Sequence, residues 1–159
     1  QQMKRLIPAL SIIFIFAAFV VYSTLSSQSV GAEETPVHTV AALHKQFGME
    51  IRSSVQQPRI DKQKAILLAN QHSGLNEVAS SVHAQYQLMT FSGVQSAALT
   101  ENARNENPKL SQSGIQNTPV WIISYKGLNI ERANNVVLTE SNLVFDAETG
   151  KYLFGFKYR

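Results

Sequence analysis

The chain contains no cysteine, so disulfide bonds, thiolate nucleophiles and cysteine-ligated zinc sites are all excluded. It is also poor in charge, because Asp, Glu, Lys and Arg make up only 16% of its 159 residues and the formal net charge is +3. The basic residues are scattered along the chain, whereas a nucleic-acid-binding surface usually shows a basic stripe. The sequence therefore predicts no nucleic-acid partner.

The motifs of the common catalytic and metal sites are missing as well. No serine lies in a Gly-x-Ser-x-Gly elbow, and no glycine-rich phosphate loop is present. None of the histidines has a partner at the i, i+4 spacing of a helical zinc site. Asp146 and Glu148 lie close together, but a calcium-binding loop needs a longer series of spaced ligands, so we interpret this segment as a turn. The sequence predicts no enzyme activity, no metal and no small-molecule cofactor.

One long hydrophobic run is present, near the start of the chain. Residues 6–25 carry no charge and follow directly after Lys4 and Arg5. A run of about 20 apolar residues is long enough to cross a bilayer as a helix. Because positive charges favour the cytoplasmic side, the sequence predicts that everything after the run lies outside the cell membrane.

Two interpretations of residues 1–32 remain open. In the first, they form a signal anchor that holds a single-pass protein in the membrane by its N-terminal helix. In the second, they form a signal peptide that is cleaved after Val30-Gly31-Ala32, where the small residues suit such a site, and the protein is secreted. Both interpretations export the remainder of the chain.

Residues 33–59 are predicted to be a linker that contains a short helix. Thr35 and Pro36 suit a helix start, and Gly48 suits its end. Side chains then recur at helical spacing, at Val37, Val40, Ala41, His44 and Phe47. The segment from Met49 to Gln57 is ambiguous between strand and coil.

The next helix is better defined by its sequence. Asp61 is a favourable N-cap, and Gly74 lies where a helix of about 12 residues would end. One face of this helix is apolar, at Ala65, Ile66, Leu68, Ala69 and His72. An amphipathic helix of this length needs a surface to cover, and we expect that surface to be a sheet.

Strand-like patterns account for much of the remainder. Residues 81–91 alternate between apolar and polar side chains, and β-branched and aromatic residues crowd 120–125, 142–147 and 152–158. The last two runs are joined by a short polar segment that ends with Gly150, which is typical of a hairpin. Between the runs at 81–91 and 120–125, residues 92–118 show no periodicity and are predicted to be a long mobile loop.

Three segments carry a resemblance to a known family. They are Lys64-Ala65-Ile66-Leu67-Leu68-Ala69, Val120-Trp121-Ile122-Ile123-Ser124-Tyr125 and Phe145-Asp146-Ala147-Glu148-Thr149-Gly150-Lys151. In this order they resemble the opening helix, the tryptophan-containing strand and the closing hairpin of the PepSY family. The resemblance implies that residues 60–159 form an α+β domain, with a helix packed on an antiparallel β-sheet. It also implies a non-catalytic role, often inferred to be inhibition or regulation of a protease near the cell surface.

Aromatic residues suggest where such a domain would bind a partner. Trp121 and Tyr125 share one face of their strand, and Tyr152, Phe154, Phe156 and Tyr158 are expected to share one face of theirs. Either both sheet faces belong to the core, or one face is open to a protein partner. In the second case the candidate partner-binding residues are Trp121, Tyr125, Tyr152 and Phe154. A sheet edge could also accept a peptide strand.

The predicted function is therefore a non-catalytic extracytoplasmic binding or regulatory domain. Its expected partner is a protease or another cell-envelope protein, and its expected contact with the membrane is the N-terminal helix. The alternative is a structural accessory subunit of a membrane complex, assembled through its transmembrane helix.

Overall fold

Five antiparallel strands lie side by side in chain order, from β1 to β5, in a single sheet. The computed structural model describes residues 43–44, 47–92 and 100–157. The strands are β1 (Met49–Arg52), β2 (Ser81–Phe91), β3 (Ile115–Glu131), β4 (Val137–Asp146) and β5 (Tyr152–Phe156). The helices are α1 (Lys62–Ser73), α2 (Glu101–Glu106) and α3 (Pro108–Gln112), and short 3-10 turns span Leu75–Glu77 and Ala133–Asn135. The fold is thus α+β, as predicted.

The predicted N-terminal apolar helix, residues 6–25, lies outside the described residues. None of the helices in the described part of the chain is long and apolar enough to cross a membrane.

Helix α1 begins and ends where its sequence predicts. The Asp61 side chain accepts a hydrogen bond from the Lys64 backbone N–H at 2.8 Å, which caps the helix start. Gly74 takes the left-handed conformation at φ 64°, and its N–H donates to the Asn70 carbonyl. Ala65 and Ala69 are fully buried, so small side chains let the helix lie close to the sheet.

Apolar side chains pack on both faces of the sheet. On the α1 side, α1 covers a cluster that we call the α1-side core: Ala65, Ala69, Ala84, Trp121, Ile123, Tyr125, Leu128, Leu138, Leu143, Phe145 and Ala147. The other face holds what we call the opposite core: Leu43, Met49, Ile51, Met89, Phe91, Ala103, Leu110, Val120, Ile122, Val144, Leu153, Phe154 and Phe156. Each face of the sheet therefore carries an apolar core.

A bulge in β5 corrects the prediction that its aromatic residues share one face. Val144 pairs with Phe154 and Phe145 pairs with Tyr152, so Leu153 is an extra residue between the two pairs. Tyr152 therefore packs against the α1-side core, whereas Phe154 lies in the opposite core. The fourth predicted aromatic residue, Tyr158, lies outside the described residues.

The segment at 92–118, predicted to be a long loop, contains regular structure. Helices α2 and α3 occupy most of residues 101–112, and β3 begins at Ile115. Ala103 and Leu110 anchor these helices in the opposite core. Sequence periodicity missed them because each helix is only one or two turns long and buries a single apolar residue.

The predicted linker 33–59 also contributes to the domain. Leu43, His44 and Phe47 are helical, and the Gly48 N–H donates to the His44 carbonyl at 3.0 Å, so a helix ends where predicted. Leu43 is fully buried in the opposite core, and the Phe47 ring lies 5.0 Å from that of Phe156. Together with β1, these residues extend the folded unit N-terminal to residue 60.

The turn between β4 and β5 forms as expected. One side-chain oxygen of Asp146 accepts hydrogen bonds from the N–H groups of Glu148 and Thr149, both at 2.8 Å. The Gly150 N–H donates to the Asp146 carbonyl, also at 2.8 Å. Asp146 therefore organises the turn through its side chain and its backbone.

Candidate binding surface

Two of the predicted partner-binding residues attach the α1 side of the sheet to α1 and to the residue before its N-cap. The Trp121 indole N–H donates to the Ile60 carbonyl at 2.7 Å, and the Tyr125 hydroxyl donates to the Asn70 side-chain oxygen at 2.8 Å. Trp121 is 6% exposed and Tyr125 is fully buried. Both side chains thus lie beneath the helix, where they fix its position on the sheet.

Burial also changes the acidity of Tyr125. Loss of water around the phenol raises its pKa, and a side-chain hydrogen bond with Ser73 offsets part of this rise. The neutral hydroxyl is therefore the form that the folded chain favours.

Tyr152 lies in a partly exposed aromatic group near the C-terminal end of α1. Its ring stacks on that of His72 with the centroids 4.0 Å apart, and both rings contact Phe145 edge-on. Burial raises the pKa of Tyr152, and the negative charge of Glu106 adds to the rise. Of the four predicted residues, Tyr152 is the one whose side chain retains an appreciable exposed surface.

Phe154 lies on the opposite face from the other three residues. It is fully buried, and its ring centroid is 4.8 Å from that of Phe91. The structure thus brings Trp121, Tyr125 and Tyr152 to the α1 side and separates Phe154 from them. The role of these four residues in binding a partner stays a prediction.

A row of polar side chains crosses the sheet on the face opposite α1. His83 pairs with Ser124, and Ser124 pairs with Asn142. The ring of His83 contacts the Ser81 hydroxyl at 3.1 Å, and the Asn142 amide donates to a side-chain oxygen of Glu140 at 3.0 Å. Ser124 and Asn142 are both fully buried and belong to the interior of the domain, whereas His83 at the end of the row is partly exposed.

The tip of the β3–β4 hairpin is the most exposed apolar feature of the sheet. We use "hairpin tip" for residues 132–137. Asn134 and Asn135 both take left-handed backbone conformations, which Asn tolerates better than most residues. The Arg132 N–H donates to the Val136 carbonyl at 2.8 Å and closes the turn. Val136 and Val137 remain 45% and 42% exposed, respectively.

Charges of both signs lie at and near the hairpin tip. Lys157 follows β5, and its pKa is lowered by burial and, to a lesser extent, by the charge of Arg132. The tip therefore combines two exposed aliphatic side chains with charges of both signs, namely Arg132 within it and Glu131, which pairs with Val137. The sequence offered one signal for this tip, because Asn134-Asn135 before two valines is a turn signal followed by strand-forming residues.

The histidines do not assemble a metal centre in the described part of the chain. There, no three His, Asp or Glu side chains are grouped as a metal ion would require. His38 lies outside the described residues, and the Nε2 atom of His44 lies 3.8 Å from a side-chain oxygen of Glu50.

Comparison with known proteins adds no assignment to this geometry. The chain matches no protein-family model. Searches of curated proteins and of solved structures likewise find no match. The resemblance to the PepSY family stays a prediction from the residues that carry it.

Proposed function

We propose that the chain is a non-catalytic extracytoplasmic domain of PepSY type that binds and regulates a protease or another cell-envelope protein. The observation that carries this proposal is the hairpin tip. Two neighbouring aliphatic side chains exposed on a defined turn can be buried in a protein interface, and removing their apolar surface from water favours binding.

The charges around the tip define the kind of partner. Arg132 lies within the tip, and Glu131 pairs with Val137 across the hairpin, so charges of both signs flank the two valines. A complementary surface would have an apolar centre and a rim with an acidic group for Arg132 and a basic group for Glu131, because such charges speed association and fix orientation. The N-terminal apolar run would hold the domain at the outer surface of the cell membrane, close to envelope proteins.

The experiment uses the full-length chain as bait in a detergent extract of cell envelope. Val136→Ser with Val137→Ser should reduce recovery of the partner about tenfold, which corresponds to about 1.4 kcal/mol. Val55→Ser is the matched control, because Val55 is fully exposed on a loop before α1. A protease recovered by the parent chain should show reduced activity when the chain is added in purified form.

Two results would count against the proposal. Equal recovery by the double variant and the parent would exclude the hairpin tip as the binding surface. Recovery that depends instead on residues 6–25, tested by replacing them with an unrelated apolar helix, would favour the accessory subunit that assembles through its membrane segment.

A further inference from the structure

Strand β2 is longer than its neighbour β1. Part of the outer edge of β2 therefore extends beyond β1 and does not pair with it. β2 has 11 residues and β1 has four, and β1 pairs only with the stretch from Leu88 to Phe91. Among the described strands, only β3 lies beside residues 81–84. We call the outer side of these four residues the 81–84 edge.

The two terminal strands carry features that discourage further pairing. At β5, the Asn107 side-chain amide donates to the carbonyls of Tyr152 and Leu153, at 3.1 and 2.9 Å, and so occupies two acceptors of that strand. At β1, Glu50 and Arg52 are exposed, and β1 is only four residues long. Charges and short length are common protections of an edge strand.

The 81–84 edge has none of these protections. It holds no Asp, Glu, Lys, Arg, Pro or Gly, and its register with β3 is regular from Ser81 to Met89. Ser81, Val82 and His83 are partly exposed. An edge with a regular register and without these charged residues can pair with another strand.

The 81–84 edge is self-complementary, because a second copy of it would present matching side chains. Val82 and Ala84 lie on the α1 side, and Ser81 and His83 lie on the other face, where they contact each other. Consider a twofold axis normal to the sheet beside His83. Antiparallel pairing about it would place Val82 next to Ala84 of the second copy and His83 next to its own counterpart.

We propose that the 81–84 edge pairs with the same edge of a second copy, so that two five-stranded sheets join into one. A strand from an unrelated protein would satisfy the same backbone groups. The second copy is favoured because it supplies the matching apolar and polar alternation with no change in its own fold. The paired segment is short, so the dimer should dissociate on dilution.

The absence of cysteine allows a direct test on the full-length chain. His83→Cys introduces a single thiol at the one position of the edge that would face its own counterpart. Directly opposite residues of an antiparallel pair have Cα atoms about 4.5 or 5.5 Å apart, which a disulfide can span. Mild oxidation should therefore cross-link His83→Cys at least tenfold faster than the controls Val55→Cys and Leu67→Cys, which place thiols at exposed positions elsewhere.

The second measurement is the molar mass of the full-length chain, corrected for bound detergent, across a dilution series. The parent should sediment at twice the 17.6 kDa of one chain at high concentration. Ser81→Lys with His83→Lys should be monomeric throughout, whereas Gln63→Lys, on the exposed surface of α1, should behave as the parent. A parent that is monomeric at every concentration would overturn the proposal. A dimer that survives the double lysine variant, or cross-linking at Val55 or Leu67 as fast as at His83, would overturn it too.

Discussion

On the α1 side of the sheet, Trp121 and Tyr125 donate hydrogen bonds to the Ile60 carbonyl and to Asn70. The opposite core is made only of aliphatic, methionine and phenylalanine side chains. Hydrogen bonds depend on direction, whereas apolar contacts depend on volume and area. The comparison teaches that specific polar contacts position α1, whereas the opposite core is held by how well its side chains fill space and has a polar contact at its edge, from Asn107 to β5.

The largest effect should come from emptying the opposite core. Phe154→Ala removes a fully buried ring that packs on Phe91, and it should lower the free energy of unfolding by about 3–5 kcal/mol. Chemical denaturation of the full-length chain, followed by the fluorescence of its single tryptophan, measures the change. Phe154→Leu should cost less than half as much, and equal losses for the two variants would show that volume does not decide the stability of this face.

A smaller effect should follow from opening the contact between the α2–α3 junction and β5. Asn107→Ala leaves the carbonyls of Tyr152 and Leu153 without their amide donor and should cost about 1–3 kcal/mol. Ser111→Ala is the control, because its exposed hydroxyl bonds only the nearby Pro108 carbonyl. If both variants unfold at the same denaturant concentration, the Asn107 amide does not stabilise the edge of β5.

On the α1 side, the polar contact can be removed with little change in volume. Tyr125→Phe deletes the hydroxyl that bonds Asn70 and should cost about 1 kcal/mol. The same substitution combined with Asn70→Ala gives a double-mutant cycle, which should yield a coupling energy of at least about 0.5 kcal/mol. Additive losses would mean that this hydrogen bond does not position α1.

The smallest effect should appear at alkaline pH, and it concerns two tyrosines on the α1 side of the sheet. The pKa values of Tyr125 and Tyr152 are raised in the folded chain by burial, so these residues stabilise the fold below their unfolded pKa, about 10. That contribution is lost as the pH rises through the higher, folded pKa. Tyr125→Phe with Tyr152→Phe should therefore lose less stability between pH 8 and 11 than the parent does, as measured by denaturation at each pH. Parallel curves for both proteins would contradict the assignment.

Much of the sheet and α1 could be predicted because the signals are local. Asp61 and Gly74 mark the ends of α1 through chemistry that operates within one helical turn. The alternation in β2 likewise follows from its position between two chemically different faces. Helices α2 and α3 were missed because they are held by long-range contacts, such as Asn107 with β5, that no local pattern reveals.

The candidate site shows the same division. The sequence indicated that Trp121, Tyr125, Tyr152 and Phe154 are important, but not that a bulge at Leu153 separates the last two. A bulge changes which residues share a face, and its position depends on how two strands meet rather than on either sequence alone. The hairpin tip was missed because β3 and β4 continue well beyond the strongly apolar runs.

The bulge in β5 has a consequence for how the domain unfolds. Within three consecutive residues, β5 contributes Tyr152 to one core and Leu153 and Phe154 to the other. A strand that fills both cores cannot be released from one while it stays in place in the other. The α1-side core and the opposite core should therefore unfold together as one cooperative unit. The amide protons of β5 should then exchange with solvent only through global opening.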